Sequence, residues 1–370
     1  MPSSDMSVTK DYNFFDRCLY YIAFGVPGFQ KIVGSLEEDI FSSRTEDQKL
    51  ERPVFVTGLP RSGSTLILEL LYSTGEFSSF TYRHMPLITA PILWDRISKP
   101  FQQKGRMKER AHNDGVIISY DSPEAFEEVL WLAYLKDKMV GEHVLHLITS
   151  DDLETEFIHT FRALLRRIIY LGSESANGIS KRYLSKNNAN FSRLDAIRKL
   201  CPDAVILIPF RSPITHTDSL VRQHERFSSA HSEDTFSSHF MKWIGHYEFG
   251  ENFKPIDFNG ELGRANAKVT PDIPFWLTYW CDSYQHCLDC LEENVYLLDF
   301  DALVKNPSRT LAKIADVVDL VNREAFIQKH SSVRQPHSKP ISAEHLSGHL
   351  QQKTQEIHHQ LRAHSINSTA

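Results

Sequence analysis

A short apolar run that enters a glycine-bounded turn and leaves it as a helix constrains this chain more than any other feature. Arg52–Thr57 reads as a buried strand centred on Val54, Phe55 and Val56, and the turn that follows is Gly58-Leu59-Pro60-Arg61-Ser62-Gly63. Leu66, Leu68, Leu70 and Leu71 are among the apolar positions of the next helix. Strand, glycine turn and helix start in succession gather backbone N–H groups around one point, at the positive end of the helix dipole. Such a point suits a phosphate or a sulfate.

Two further units repeat the alternation. Ala204–Phe210 reads as a buried strand between helices Phe191–Leu200 and Pro213–Arg226, with Ser212 as N-cap and Pro213 at the first helical position. Val295–Phe300 is a third strand, followed by helix Pro307–Leu320. Near-continuous apolar strands alternating with helices predict an α/β fold: a P-loop-like central parallel sheet flanked by helices, with helical insertions. The insertions include two aromatic stripes at helical spacing, Phe236/Phe240/Trp243/Ile244/Tyr247 and Trp276/Tyr279/Trp280/Cys287/Leu291, which read as core. The expected division is an N-terminal helical segment over 1–50, the main domain over 51–340 and a polar, His-rich tail over 341–370. In that tail Leu346, Leu350, Ile357 and Leu361 share one side of a helix.

Composition narrows the function classes. The 370 residues are 41% hydrophobic and 24% charged, ordinary values for a packed globular chain. A net charge of −6 with no long basic block argues against a general nucleic-acid binder. The five cysteines, an odd number without a framework, point to a reducing, cytoplasmic compartment. Cys287 and Cys290 form a C-x-x-C without a second ligand pair and read as packing residues, so no metal is expected. The apolar stretch Cys18–Phe29 is broken by Gly25, Pro27 and Gly28. It is too short to span a bilayer, lacks secretory-signal flanks, and reads as a surface or lid helix.

The segment Gly58–Thr65 matches the spacing of the nucleotide-triphosphate loop except that Ser64 stands where the lysine belongs. Positive charge comes instead from Arg61, which counts against a kinase or GTPase. The string Pro60-Arg61-Ser62-Gly63-Ser64-Thr65 resembles the 5′-phosphosulfate loop of sulfotransferases that use PAPS (3′-phosphoadenosine 5′-phosphosulfate). It is most similar to the P-R-S-G-T-T form of tyrosylprotein and bacterial carbohydrate-type members. By that resemblance Arg61 and the backbone of Ser62, Gly63, Ser64 and Thr65 hold the phosphosulfate, with the Ser64 and Thr65 hydroxyls assisting. Arg211-Ser212-Pro213 and Ser219, eight residues past the arginine, resemble the family's 3′-phosphate subsite. An arginine at a strand end and a serine two helical turns on can converge on one oxyanion. Arg222, one turn further, adds charge or faces solvent. Tyr183–Phe191 resembles the family segment whose lysine lies near the transferring sulfuryl group, and Lys186 matches it. The resemblance runs in order from about Arg52 to Leu320.

The family's catalytic bases do not carry over, because Asn188 and Ser185 stand at their places. Sulfuryl transfer needs a group to take the acceptor's proton and cations to steady the departing nucleotide; fixed Arg and Lys charges can serve without a metal. His84, in the loop Thr81–Pro86, is one candidate. Glu127 and Glu128 are the other, expected with Glu124 on one face of a helix capped by Ser122 and beginning at Pro123. His112 and Asp114 are fainter. The acceptor, a hydroxyl or amine on a small molecule, glycan or lipid, is not named by the sequence, nor is the oligomeric state. Two rival readings are a divergent P-loop phosphoryl-transfer enzyme and a non-catalytic nucleotide-binding module.

Overall fold

The computed structural model describes residues 14–99, 108–109, 117–118, 122–176, 180–233, 235–265, 269, 271–334 and 346–368. His112 and Asp114 lie outside them. Helices α1 (Phe14–Gly25) and α2 (Phe29–Thr45) precede strand β1 (Val54–Val56) and helix α3 (Ser64–Tyr72). Next come β2 (Phe77–Ser78), α4 (Pro91–Ser98), a short antiparallel pair β3 (Lys108–Glu109) and β4 (Ile117–Ile118), α5 (Glu128–Met139) and α6 (Thr155–Ser175). The second half opens with β5 (Arg182–Lys186), α7 (Leu194–Leu200), β6 (Val205–Phe210), α8 (Pro213–Glu233) and α9 (Thr235–Trp243). It closes with α10 (Glu261–Ala265), α11 (Ile273–Asp289), β7 (Val295–Asp299), α12 (Phe300–Lys305), α13 (Pro307–Val318), α14 (Arg323–Ile327) and α15 (Gly348–His364).

The main sheet has the order β2-β5-β1-β6-β7, with every pairing parallel. Strand β1 lies at its centre, Val56 sitting opposite Lys186 of β5 and Leu207 of β6. Alternation along the strands sorts side chains into two cores. Phe55, Ile206 and Ile208 join Trp131, Phe157, Leu165, Trp280 and Tyr284 on one face. Val54, Val56, Val205 and Leu207 join Ile67, Leu71, Leu311 and Ile314 on the other. Helices thus cover both faces, which is why β1 and β6 are buried along their whole length. The expected α/β sheet is what the chain forms.

Several local expectations need correcting. The helix placed from Pro123 begins only at Glu128. Pro123 instead makes an antiparallel bridge to Thr81, and the Glu124 N–H donates to the Phe80 carbonyl at 3.0 Å, so this stretch is extended. The helix placed from Phe191 is a 3₁₀ turn over Asn188–Ser192 followed by α7. Strands β2 and β5 went unseen because β2 is two residues long and β5 is framed by Arg182 and Lys186. The aromatic stripes are core: Phe236, Phe240, Trp276 and Trp280 are all buried. Helix α1 is a surface helix whose Tyr20 ring packs 5.5 Å from Phe240.

Candidate active site

The glycine turn leaves the carboxyl end of β1, at the centre of a parallel sheet, where open α/β folds place their ligands. Gly63 has φ of 101°, and a Cβ there would stand 2.2 Å from the Phe300 ring, so only glycine fits. It opens α3, whose first N–H groups receive no side-chain cap and point at the turn. Arg61 adopts φ of 69°, a left-handed conformation that costs a non-glycine residue about 1 kcal/mol or more. The Arg61 carbonyl accepts from Arg211 Nη1 at 3.2 Å.

That contact joins the two motifs, and a second reinforces it: Arg61 Nε lies 3.3 Å from Ser219 Oγ. Arg211 leaves the end of β6, and Ser219 projects from α8. Burial lowers the Arg211 pKa most; Asp301 opposes that shift and Arg61 adds to it. Arg211 Nε and Ser62 Oγ are buried without a hydrogen-bond partner among the described residues. Asp218, beside Ser219, pairs with Arg222 at 2.6 Å, and Asp301 accepts from the Ser212 N–H at 2.7 Å. His216, a turn into α8, sits 2.8 Å from the Pro60 carbonyl through Nε2. Burial, with Arg211 nearby, pushes its pKa down to about 3, so it is a neutral strut under the loop.

Lys186 ends β5 next to the loop, and the Thr57 hydroxyl donates to the Asn187 carbonyl at 2.8 Å, tying the two strand ends together. Asn188 follows. Its Oδ1 accepts from Ser64 Oγ at 3.5 Å, and its Nδ2 donates to Glu248 Oε1 at 3.3 Å. Glu248 Oε2 lies 3.7 Å from His246 Nδ1.

The proposed proton acceptors lie around this centre in contrasting states. Glu127 accepts a short hydrogen bond from the Tyr183 hydroxyl and one from Asn190 Nδ2 at 2.7 Å. Burial raises its pKa above the usual carboxylate value. Glu128 pairs with Arg193 and accepts from Asn187 Nδ2 at 2.7 Å. Arg193 in turn donates to Asn190 Oδ1 at 2.9 Å and lies 4.1 Å over the Trp131 ring. These side chains close a buried network beneath the end of β5. His84 accepts the Thr81 N–H on Nδ1 at 2.9 Å, and burial lowers its pKa to about 4. With Nδ1 so engaged, its neutral ring carries hydrogen on Nε2.

A profile of the sulfotransferase family matches residues 53–253, which hold the loop, Lys186, Arg211 and Ser219. The chain belongs to the sulfotransferase family. No curated protein matches this sulfotransferase by sequence. Among solved structures it is similar to the sulfotransferase STF9 from Mycobacterium avium, at 14% identity and a TM-score of 0.50, over 91% of this chain and 82% of that one. It also matches the sulfotransferase STF1 from Mycobacterium tuberculosis H37Rv, at 14% identity and a TM-score of 0.48, over 93% of this chain and 85% of the other. A third match is the sulfotransferase domain of the Synechococcus PCC 7002 olefin synthase, at 14% identity and a TM-score of 0.38, over 86% and 97% of the two chains. The likeness to STF9 is one of fold. Family and fold together support sulfotransfer as the general activity. The sequence reading of this sulfotransferase missed Asn187, Arg193, His216, His246 and Glu248. The spacing of polar residues over Asn187–Arg193 was the one available signal, and its partners lie too far along the chain for local pattern to reveal them.

Proposed function

We propose that this sulfotransferase takes its sulfuryl group from PAPS and passes it to a hydroxyl or amine of a small-molecule, glycan or lipid acceptor. The observation that carries the reading is the contact between the two motifs, Arg61 to Ser219 and Arg211 to the Arg61 carbonyl. It brings two guanidinium groups to one glycine turn while the neighbouring carboxylates Asp218 and Asp301 are engaged by Arg222 and the Ser212 N–H. Such a site is short of negative charge, and the orphaned Arg211 Nε and Ser62 Oγ fit a bound polyanion.

In this reading the backbone of Ser62, Gly63, Ser64 and Thr65, with Arg61, holds the 5′-phosphosulfate. Arg211 and Ser219 hold the 3′-phosphate. PAPS supplies an activated sulfuryl group on a nucleotide leaving group. Loop N–H groups, Arg61 and Lys186 then meet the charge that develops on the departing phosphate oxygen, so positive charge is fixed in place without calling on a metal. Glu127 and Glu128, buried and hydrogen-bonded by Tyr183, Asn190, Asn187 and Arg193, serve as the platform under Lys186. His84 serves as a hydrogen-bond donor through Nε2. Ser64, turned to Asn188, leaves the phosphoryl-transfer alternative without the lysine it needs. No described helix is long and apolar enough to cross a membrane, and a reducing, cytoplasmic setting is part of the same proposal, in keeping with the free cysteines.

Arg211→Ala tests the donor assignment. It is expected to weaken binding of PAP, the desulfonated nucleotide, by about 1.5–3 kcal/mol, the range for a charge-assisted hydrogen bond. Adenosine 5′-phosphosulfate, which lacks the 3′-phosphate, is expected to bind nearly as before. Equal losses for both ligands would assign Arg211 to the fold instead.

A further inference from the structure

We propose that Glu248 takes the proton of the acceptor hydroxyl during transfer, an assignment that rests on the PAPS reading above. The turn that carries it is built to sit against the buried network. Gly245 has φ of 78°, and a Cβ there would stand 2.3 Å from Glu128 Cγ, so only glycine lets the chain pass directly over the start of α5. The same turn then carries His246 and Glu248 across the end of β5.

One amide links this carboxylate to the donor loop. Asn188 receives the Ser64 hydroxyl on Oδ1 and donates to Glu248 Oε1 through Nδ2. Ser64 opens α3 on the loop itself, so Glu248 stands one side chain away from the group proposed to hold the phosphosulfate. His246 Nδ1 stands 3.7 Å from the other oxygen, Oε2. A carboxylate has about four lone-pair sites, so these partners leave capacity for an incoming O–H. The Glu248 side chain is 24% exposed, whereas that of Glu128 is 4% exposed and is paired with Arg193. A group that must meet a succession of acceptors has to open outward, and Glu248 does.

The step balances as follows. The acceptor's proton passes to a Glu248 carboxylate oxygen, and the acceptor oxygen's electron pair forms the new O–S bond. The bond from sulfur to the 5′-phosphate oxygen breaks, and its electron pair leaves with PAP.

Glu248→Gln and Glu248→Asp test this with water as surrogate acceptor. Sulfate release from radiolabelled PAPS is measured beside calorimetric PAP affinity and the melting temperature. Glu248→Gln is expected to lower turnover about a hundredfold or more while PAP affinity stays within about twofold and the melting temperature holds. Glu248→Asp, which keeps a carboxylate, recovers part of the rate. A Glu248→Gln rate within about threefold of wild type, or a PAP affinity that falls in step with the rate, overturns the assignment alone. So does wild-type protein that binds PAP yet releases no sulfate from PAPS to water. Wild-type protein that fails to bind PAP overturns the donor reading, and this assignment falls with it.

Discussion

Glu128 and Arg193 show how a polar residue near a catalytic centre can belong to the fold. The carboxylate meets the guanidinium and the Asn187 amide, and the guanidinium lies 4.1 Å over Trp131, with both side chains almost wholly out of water. Removing one charge strands the other. Glu128→Gln is therefore expected to destabilise the protein by about 3–5 kcal/mol, read as a lower urea midpoint at unchanged slope. A change below about 1 kcal/mol would mean that water or another carboxylate compensates Arg193. The sequence shows Glu127 and Glu128 as adjacent acids that suit an acceptor pocket. What it cannot show is that Tyr183, Asn187, Asn190 and Arg193 engage both carboxylates in a buried network, because those partners arrive from another strand and turn. His84 is similar: its loop is legible, but the Thr81 N–H that occupies Nδ1 appears only once the backbone turns.

Helix α8 packs against the turn that leads into α3, and His216 makes one of its contacts there, with the Pro60 carbonyl. Its folded-state pKa of about 3 lies below the ordinary 6.5, so at mildly acidic pH the unfolded chain binds a proton that the fold refuses. The stability from this residue is fully present above about pH 6.5 and is lost as pH falls toward 3. His84, lowered to about 4, acts in the same direction. His216→Gln, which keeps a donor for the Pro60 carbonyl, is expected to flatten the decline in unfolding free energy between pH 6.5 and 4.5. An unchanged slope would show that His216 is protonated in the folded protein. The strand–turn–helix units were legible because their apolar runs are continuous and their turns carry Gly and Pro. Strand β5 was not: it presents Arg182, Ser185 and Lys186 among its five residues, and only pairing to β1 and β2 makes it a strand.

At the scale of the whole molecule, the last described residues reach back to the donor side. The Ile366 N–H donates to the Leu297 carbonyl at 3.0 Å, and Asn367 exchanges hydrogen bonds with the Asp299 backbone at 2.8 and 2.9 Å. The Asp299 side chain caps α12, which carries Phe300 against Gly63 and Asp301 against the Ser212 N–H. Asn367→Ala is expected to cost about 1–3 kcal/mol of stability by leaving buried backbone groups unpaired, and to weaken PAP binding with it. Undiminished PAP affinity would confine Asn367 to the sheet edge. No pattern in the sequence announces this closure, since a polar tail reads the same whether or not it docks. The central claim is that the paired arginines and the glycine turn hold a 3′-phosphorylated nucleotide. Its most direct test is a thermal-shift titration with PAP in the presence of a chelator, beside magnesium-ATP. At a hundred times its dissociation constant PAP is expected to stabilise the fold by about 2.7 kcal/mol, with magnesium-ATP at the same concentration doing far less. A larger shift from magnesium-ATP would contradict the account.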